Sequence, residues 1–146
     1  MRKSKKDTHR FLLDTNVLIA AIKNPKKKTK TLILIKKIIE SENIHLVGDV
    51  FLLEEMIKYA EKFQSETSSE ILSALISKIE IIEVSDNYIK ICKNYIKTPV
   101  LADIILAATC LKADAILITN DTHFNNIQTE GIIKVWSISK CIKELL

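Results

Sequence analysis

Three aspartates in this chain stand where a carboxylate is either costly or useful. The apolar run Phe11-Leu12-Leu13 stops at Asp14, with Asn16 two residues on, and Ile116-Leu117-Ile118 stops at Thr119-Asn120-Asp121. An aspartate that ends a strand often does no more than cap the next helix, but here the pattern occurs twice. Asp103 lies within the apolar stretch 100–111, and its neighbours at i+3, i+4 and i+7 are Leu106, Ala107 and Cys110. A charge on such a face is costly unless a cation or strong donors meet it. The competing account is a first-turn carboxylate, stabilised by the helix dipole by ~0.3–1 kcal/mol. A fourth acidic place is Glu54-Glu55, in a segment whose Leu53, Met56, Ile57, Ala60 and Phe63 recur at helical spacing. Both glutamates flank that stripe, so periodicity does not separate them.

Carboxylates brought together repel one another and take up protons unless a divalent cation neutralises them. A ligand set of oxygens, without Cys or His, favours Mg²⁺ or Mn²⁺ over zinc. The chemistry that matches is metal-assisted phosphodiester hydrolysis, in which one or two ions activate water and stabilise the leaving oxygen.

The elements that must position these acids follow from the hydrophobic pattern. Strands are expected at 11–13, 44–47, 79–84, 115–119 and 132–136. Helices are expected at 16–23, 31–41, 86–95 and 137–146, with Asp49 as N-cap of one reaching Phe63. Ser65 or Thr67 starts another that reaches Ser77, and Pro99 suits the first turn of one ending near Leu111. Strands that are almost wholly apolar and alternate with helices imply a parallel sheet covered on both faces, so the fold class is α/β. In such a sheet ligands gather beyond the carboxyl ends of the strands, which is where Asp14 and Asp121 fall.

Composition agrees and narrows the classes. The 146 residues are 47% hydrophobic and 27% charged, with 22 Lys+Arg against 18 Asp+Glu, which suits one globular domain over 9–146 behind a loose basic tail at 1–8. Only 2 Gly and 2 Pro leave little room for a turn-rich all-β fold. No apolar stretch reaches the ~20 residues of a membrane span, because charges such as Asp103 interrupt them. The basic start Met1-Arg2-Lys3-Ser4-Lys5-Lys6 is followed by an apolar run broken by Asp14 and Asn16, without a small-residue cleavage site, so a cytoplasmic location is expected. Cys92, Cys110 and Cys141 are odd in number and widely spaced, as reduced thiols in or near a core would be.

Four segments, Phe11-Leu-Leu-Asp-Thr-Asn-Val-Leu-Ile19, Glu54-Glu-Met56, Ala102-Asp-Ile-Ile-Leu-Ala-Ala108 and Ile116-Leu-Ile-Thr-Asn-Asp-Thr-His-Phe124, resemble in order and context the motifs of PIN-domain ribonucleases, the family that includes VapC toxins. The likeness runs from about Arg10 to Trp136. It implies a three-layer α/β/α sandwich around a parallel sheet of about five strands. It also implies an Mg²⁺- or Mn²⁺-dependent endoribonuclease whose metal ligands are Asp14, Asp103 and Asp121, with an acidic catalytic and ligand role for the helix glutamate. In the family that glutamate is usually followed at once by an apolar residue, which selects Glu55, ahead of Met56. Asn16 and Thr119 match positions that organise the acids by hydrogen bonding. Many members carry another acid two residues after the position of Asp121, where this chain has His123.

The expected partners are RNA, single-stranded or structured, and, for a toxin, an antitoxin protein; a homodimer is compatible with the family. Lys23, Lys26, Lys27, Lys28 and Lys30 follow the helix that begins beside Asp14 and suit phosphate contacts. Aromatic residues are too few for an evident base-stacking platform. Two other classes compete. One is a non-catalytic PIN-like scaffold that binds RNA or protein. The other is a phospho-receiver domain, which needs an acceptor aspartate after a mid-chain strand and a lysine after a late one. Asp49 alone meets the first need, and Asn120, not lysine, follows Thr119.

Overall fold

The strands are short, and burial is concentrated in the central ones rather than at the edges. In the computed structural model, which describes residues 8–24, 26–63, 65–97 and 100–146, His9–Leu13 (β1) is the central strand and Phe11, Leu12 and Leu13 are at most 2% exposed. It pairs in parallel with Ile44–Gly48 (β2) on one side and Ile116–Ile118 (β4) on the other. Ile79–Ile81 (β3) and Lys134–Trp136 (β5) form the edges, giving the order β3-β2-β1-β4-β5, all parallel. The basic tail is expected at 1–8, of which 1–7 lie outside the described residues, as does Pro99.

Parallel strands require crossover helices, and these form the outer layers of an α/β/α sandwich. Leu101–Ala113 (α6) lies across β1, β2 and β4, with Asp86–Lys93 (α5) against it. Thr15–Ile22 (α1), Lys30–Glu40 (α2), Glu66–Lys78 (α4) and the closing Ile138–Leu145 (α8) make contacts among themselves, and Val50–Lys62 (α3) bridges α1, α4 and α6. Ser65 is the residue that caps α4, accepting from the Ser68 amide, which settles the choice between Ser65 and Thr67. No helix of the described residues is long and apolar enough to cross a membrane.

Two expectations are corrected. The third strand ends at Ile81, not Val84, because its partner β2 stops at Gly48 and α3 begins at Val50, leaving only the Ile82 amide a carbonyl to reach. The stretch after Asp121 holds a 3-10 turn at Thr122–Phe124 and a short helix, Asn125–Thr129 (α7), neither of which the pattern announces. Cys92, Cys110 and Cys141 are free and buried, and burial pushes all three thiols well above their usual range, that of Cys92 to about 11.

Candidate active site

The strand order reverses beside β1: the chain moves outward from β1 through β2 to β3, then crosses back to β4 on the other side. At such a switch point the loops leaving the two central strands diverge and open a crevice. Leu13 pairs with Ile118, so the next residues on each strand, Asp14 and Thr119, lie side by side at the mouth of that crevice. The Thr119 hydroxyl donates to Asp14 Oδ2 at 2.8 Å and accepts the Asp121 amide at 3.0 Å. Asp14 is the N-cap residue of α1 by position, yet it makes no capping hydrogen bond. Its carboxylate accepts instead from across the sheet, so capping is not its main engagement.

Helices that connect parallel strands begin at the same edge of the sheet, and this brings the other acids. Asp103 sits in the first turn of α6 and Glu55 on α3; both line one cleft of about 140 Å³ with Asp14, Asn16 and Asp121, whereas Glu54 is not among its walls. The apolar stretch around Asp103 reads as a buried face, but the Asp103 side chain is 20% exposed. The first turn, with Leu101 and Ala102 also exposed, projects beyond the core into the cleft. Phe51 lines the same cleft while 55% exposed. Asn16 is exposed at the cleft wall, and its backbone amide, in the first turn of α1, acts on the Asp14 carboxylate.

Two residues reach the site that sequence reasoning did not assign to it. His123 is swung inward by the turn in which its amide donates to Asp121 Oδ1 at 2.9 Å. Its Nδ1 then lies 3.2 Å from Asp121 and 3.5 Å from Asp103, and one ligand atom of each of the three falls within 4.8 Å of the others. The ligand set expected as oxygen alone therefore has a nitrogen beside it. Asp49 does cap α3 as expected, accepting the Leu52 amide, but it is also a buried wall of the cleft. Gly48 before it admits this approach: a Cβ there would come within 3.1 Å of Leu52 Cδ2 and of Ile79 Cγ2.

Electrostatics follow from the crowding. Burial pushes the Asp14 carboxyl above the ordinary range, the Thr119 hydroxyl and Asn16 amide pull it back in part, and the charges of Asp121 and Asp103 raise it again. Asp103 is raised by burial and by Asp121, opposed by His123, and raised further by Glu55. Asp49 is raised by burial, lowered in part by the Leu52 and Phe51 amides, and raised by Glu55. Carboxyls held above their normal range by burial first and by one another second, with hard oxygen donors converging from the end of β1, α3, α6 and the loop after β4, fit a divalent cation.

These shifts fix the sign of a pH effect in the metal-free protein. Each of the three acids titrates higher folded than unfolded, so each favours folding most when protonated, below the ordinary carboxylate value of ~3.9, and loses that contribution as pH rises through the raised value. The urea midpoint in EDTA is expected to lose this contribution as pH rises from the ordinary carboxylate value of ~3.9 upward, and saturating Mn²⁺ to reverse the trend by binding the ionised form. A midpoint in EDTA that climbs over the same rise in pH would show that the acids are not crowded.

A family model described as the PIN domain matches residues 11–130. Among solved structures, the chain is similar to VapBC2 from Rickettsia felis bound to a promoter DNA fragment, with 20% identity, a TM-score of 0.62, and coverage of 88% of this chain and 98% of the other. VapBC-1 from nontypeable Haemophilus influenzae gives 20%, 0.58, 89% and 98%. FitAcB from Neisseria gonorrhoeae gives 18%, 0.58, 88% and 98%. At these identities the likeness establishes a common fold. No curated protein matches the chain.

Proposed function

Because the chain belongs to the PIN-domain family, whose members are generally nucleases, we propose that it is an endoribonuclease dependent on Mg²⁺ or Mn²⁺, and the toxin of a toxin–antitoxin pair acting in the cytoplasm. The observation that carries the hydrolytic reading is the meeting of Asp14, Glu55, Asp103 and Asp121, from four separate elements, on one cleft at the switch point of the sheet. The toxin reading is supported by the VapBC complexes that share the fold, and it implies an antitoxin partner.

In this reading Asp14, Asp103 and Asp121 hold the cation, with Glu55 completing the set from α3. A bound divalent ion would supply Lewis acidity, lowering the pKa of an attacking water and shielding charge on the phosphate. Thr119 keeps Asp14 in one orientation by donating to its Oδ2, while the same oxygen, held by the Asp121 amide, fixes the loop that carries Asp121. That is the work of a supporting residue that aims a ligand without touching the substrate. The exposed carboxylate of Glu55 is the group placed to accept the proton of the attacking water.

The substrate must approach an acidic cleft, so cationic contacts outside it are needed. Lys23, Lys26, Lys27, Lys28 and Lys30 are all exposed, but they stand past the far end of α1. That helix has 8 residues and so separates them from the cleft by ~12 Å. They are placed to hold a strand a few nucleotides away from the scissile bond.

The test is incubation of end-labelled single-stranded RNA with the protein in Mn²⁺, in Mg²⁺ and in excess EDTA. Fragments in the first two and intact RNA in the third are expected. Full cleavage in chelator would overturn the metal mechanism, and RNA bound but uncut in both metals would favour the scaffold.

A further inference from the structure

Asp49 is more than α3 needs. Ser, Thr or Asn would cap the helix as well and bring no charge into a buried place. Its Oδ1 does the capping, 2.9 Å from the Leu52 amide. Its Oδ2 is buried with no hydrogen-bond partner among the described residues, on a residue only 5% exposed. A buried carboxylate oxygen without a donor is costly, and native proteins rarely leave one so. Asp49 lines the cleft that Asp14 and Glu55 also line, so its second oxygen is orphaned at the wall of the acidic site.

We infer that Asp49 is a fifth acid of the cation site, its Oδ2 meeting the bound divalent ion or a water of that ion's hydration shell. This rests on the metal reading of the cleft proposed above, and deepens it. Helix α3 then serves the site twice, with Asp49 from its cap and Glu55 from its second turn. A hard cation or its water is the right complement, because either satisfies a lone carboxylate oxygen without requiring a protein donor. The capping oxygen and the cleft oxygen belong to one rigid group. Cation binding and the start of α3 are thereby tied together.

The experiment separates the two duties. Asp49→Ser keeps a capping oxygen and removes the carboxylate, and Asp49→Asn keeps the shape as a second variant. Mn²⁺ binding is read from the electron paramagnetic resonance of the free ion, with Asp14→Asn as reference and thermal unfolding in EDTA as the check on folding. Both Asp49 variants are expected to unfold in EDTA at or above the wild-type temperature and to bind Mn²⁺ ~10–100-fold more weakly. Affinity within about twofold of wild type in a folded variant would leave Asp49 as a helix cap and overturn the inference. Failure of the wild type to bind Mn²⁺, or an Asp14→Asn protein that binds it unimpaired, would instead defeat the metal reading of the cleft.

Discussion

Replacing Glu55 by Gln will lower RNA cleavage by about two to four orders of magnitude, while Glu54→Gln will change it by less than about threefold. The two glutamates are adjacent and both exposed, so neither substitution disturbs the core and stability cannot explain a difference. What separates them is where their charge is felt. Glu55 lines the cleft and its charge raises the carboxyls of both Asp103 and Asp49, whereas Glu54 is absent from the cleft walls and from the causes acting on either. Gln keeps the size of the side chain and removes the negative charge, and with it the ability to accept a proton. Single-turnover cleavage of one labelled RNA by the two variants in Mn²⁺ provides the comparison. The reverse ranking would place the working carboxylate on the neighbouring position.

The second large effect is expected at Asp103, where activity and stability should move in opposite directions. Asn keeps the shape of the side chain, so its cost to cleavage, ~10³-fold or more, comes from the lost charge at the cation site. In the metal-free protein the same change is expected to be stabilising by up to about 1 kcal/mol. Three influences favour the neutral form: burial, Asp121 and Glu55. Two oppose it, the His123 contact at 3.5 Å and the helix dipole in the first turn of α6, the latter worth ~0.3–1 kcal/mol. The net direction at Asp103 is upward, so crowding and burial prevail. The gain is kept small because the side chain is 20% exposed and water screens part of the repulsion. Urea unfolding in EDTA, paired with cleavage in Mn²⁺, reads both quantities. A variant that is less stable and fully active would make Asp103 a helix-terminus residue only.

How much of this was legible in the chain differs by residue. Asp14 was legible because Phe11-Leu12-Leu13 is unmistakable as a buried strand, and what ends a parallel strand stands at the ligand edge. The choice of Glu55 over Glu54 was not, since both flank one apolar stripe; it took the resemblance, and then the cleft itself, to separate them. Asp49 was read as an N-cap and is one, but a cap signal is local, and the burial of its second oxygen depends on what lies across the cleft. His123 was marked by the resemblance as standing where many members carry an acid, but its approach to Asp103 was not legible. Its neighbourhood, Thr122–Thr129, is short, polar and without a long apolar period, so neither the 3-10 turn nor α7 stood out, and that turn is what carries the imidazole to Asp103.

The hydroxyl that joins Asp14 to the loop of Asp121 spans 105 positions of the chain. During synthesis, at roughly 5–20 residues per second, the first of these acids therefore leaves the ribosome about 5 to 20 s before the last. Within that interval the polypeptide holds Asp14, and later Glu55, before it has β4, and so nothing to hold them in register. An enzyme that cuts RNA while still attached to its own messenger would end its own production. A site whose halves lie more than a hundred positions apart in the chain cannot assemble until β4 has been translated, so long sequence separation here works as a timer.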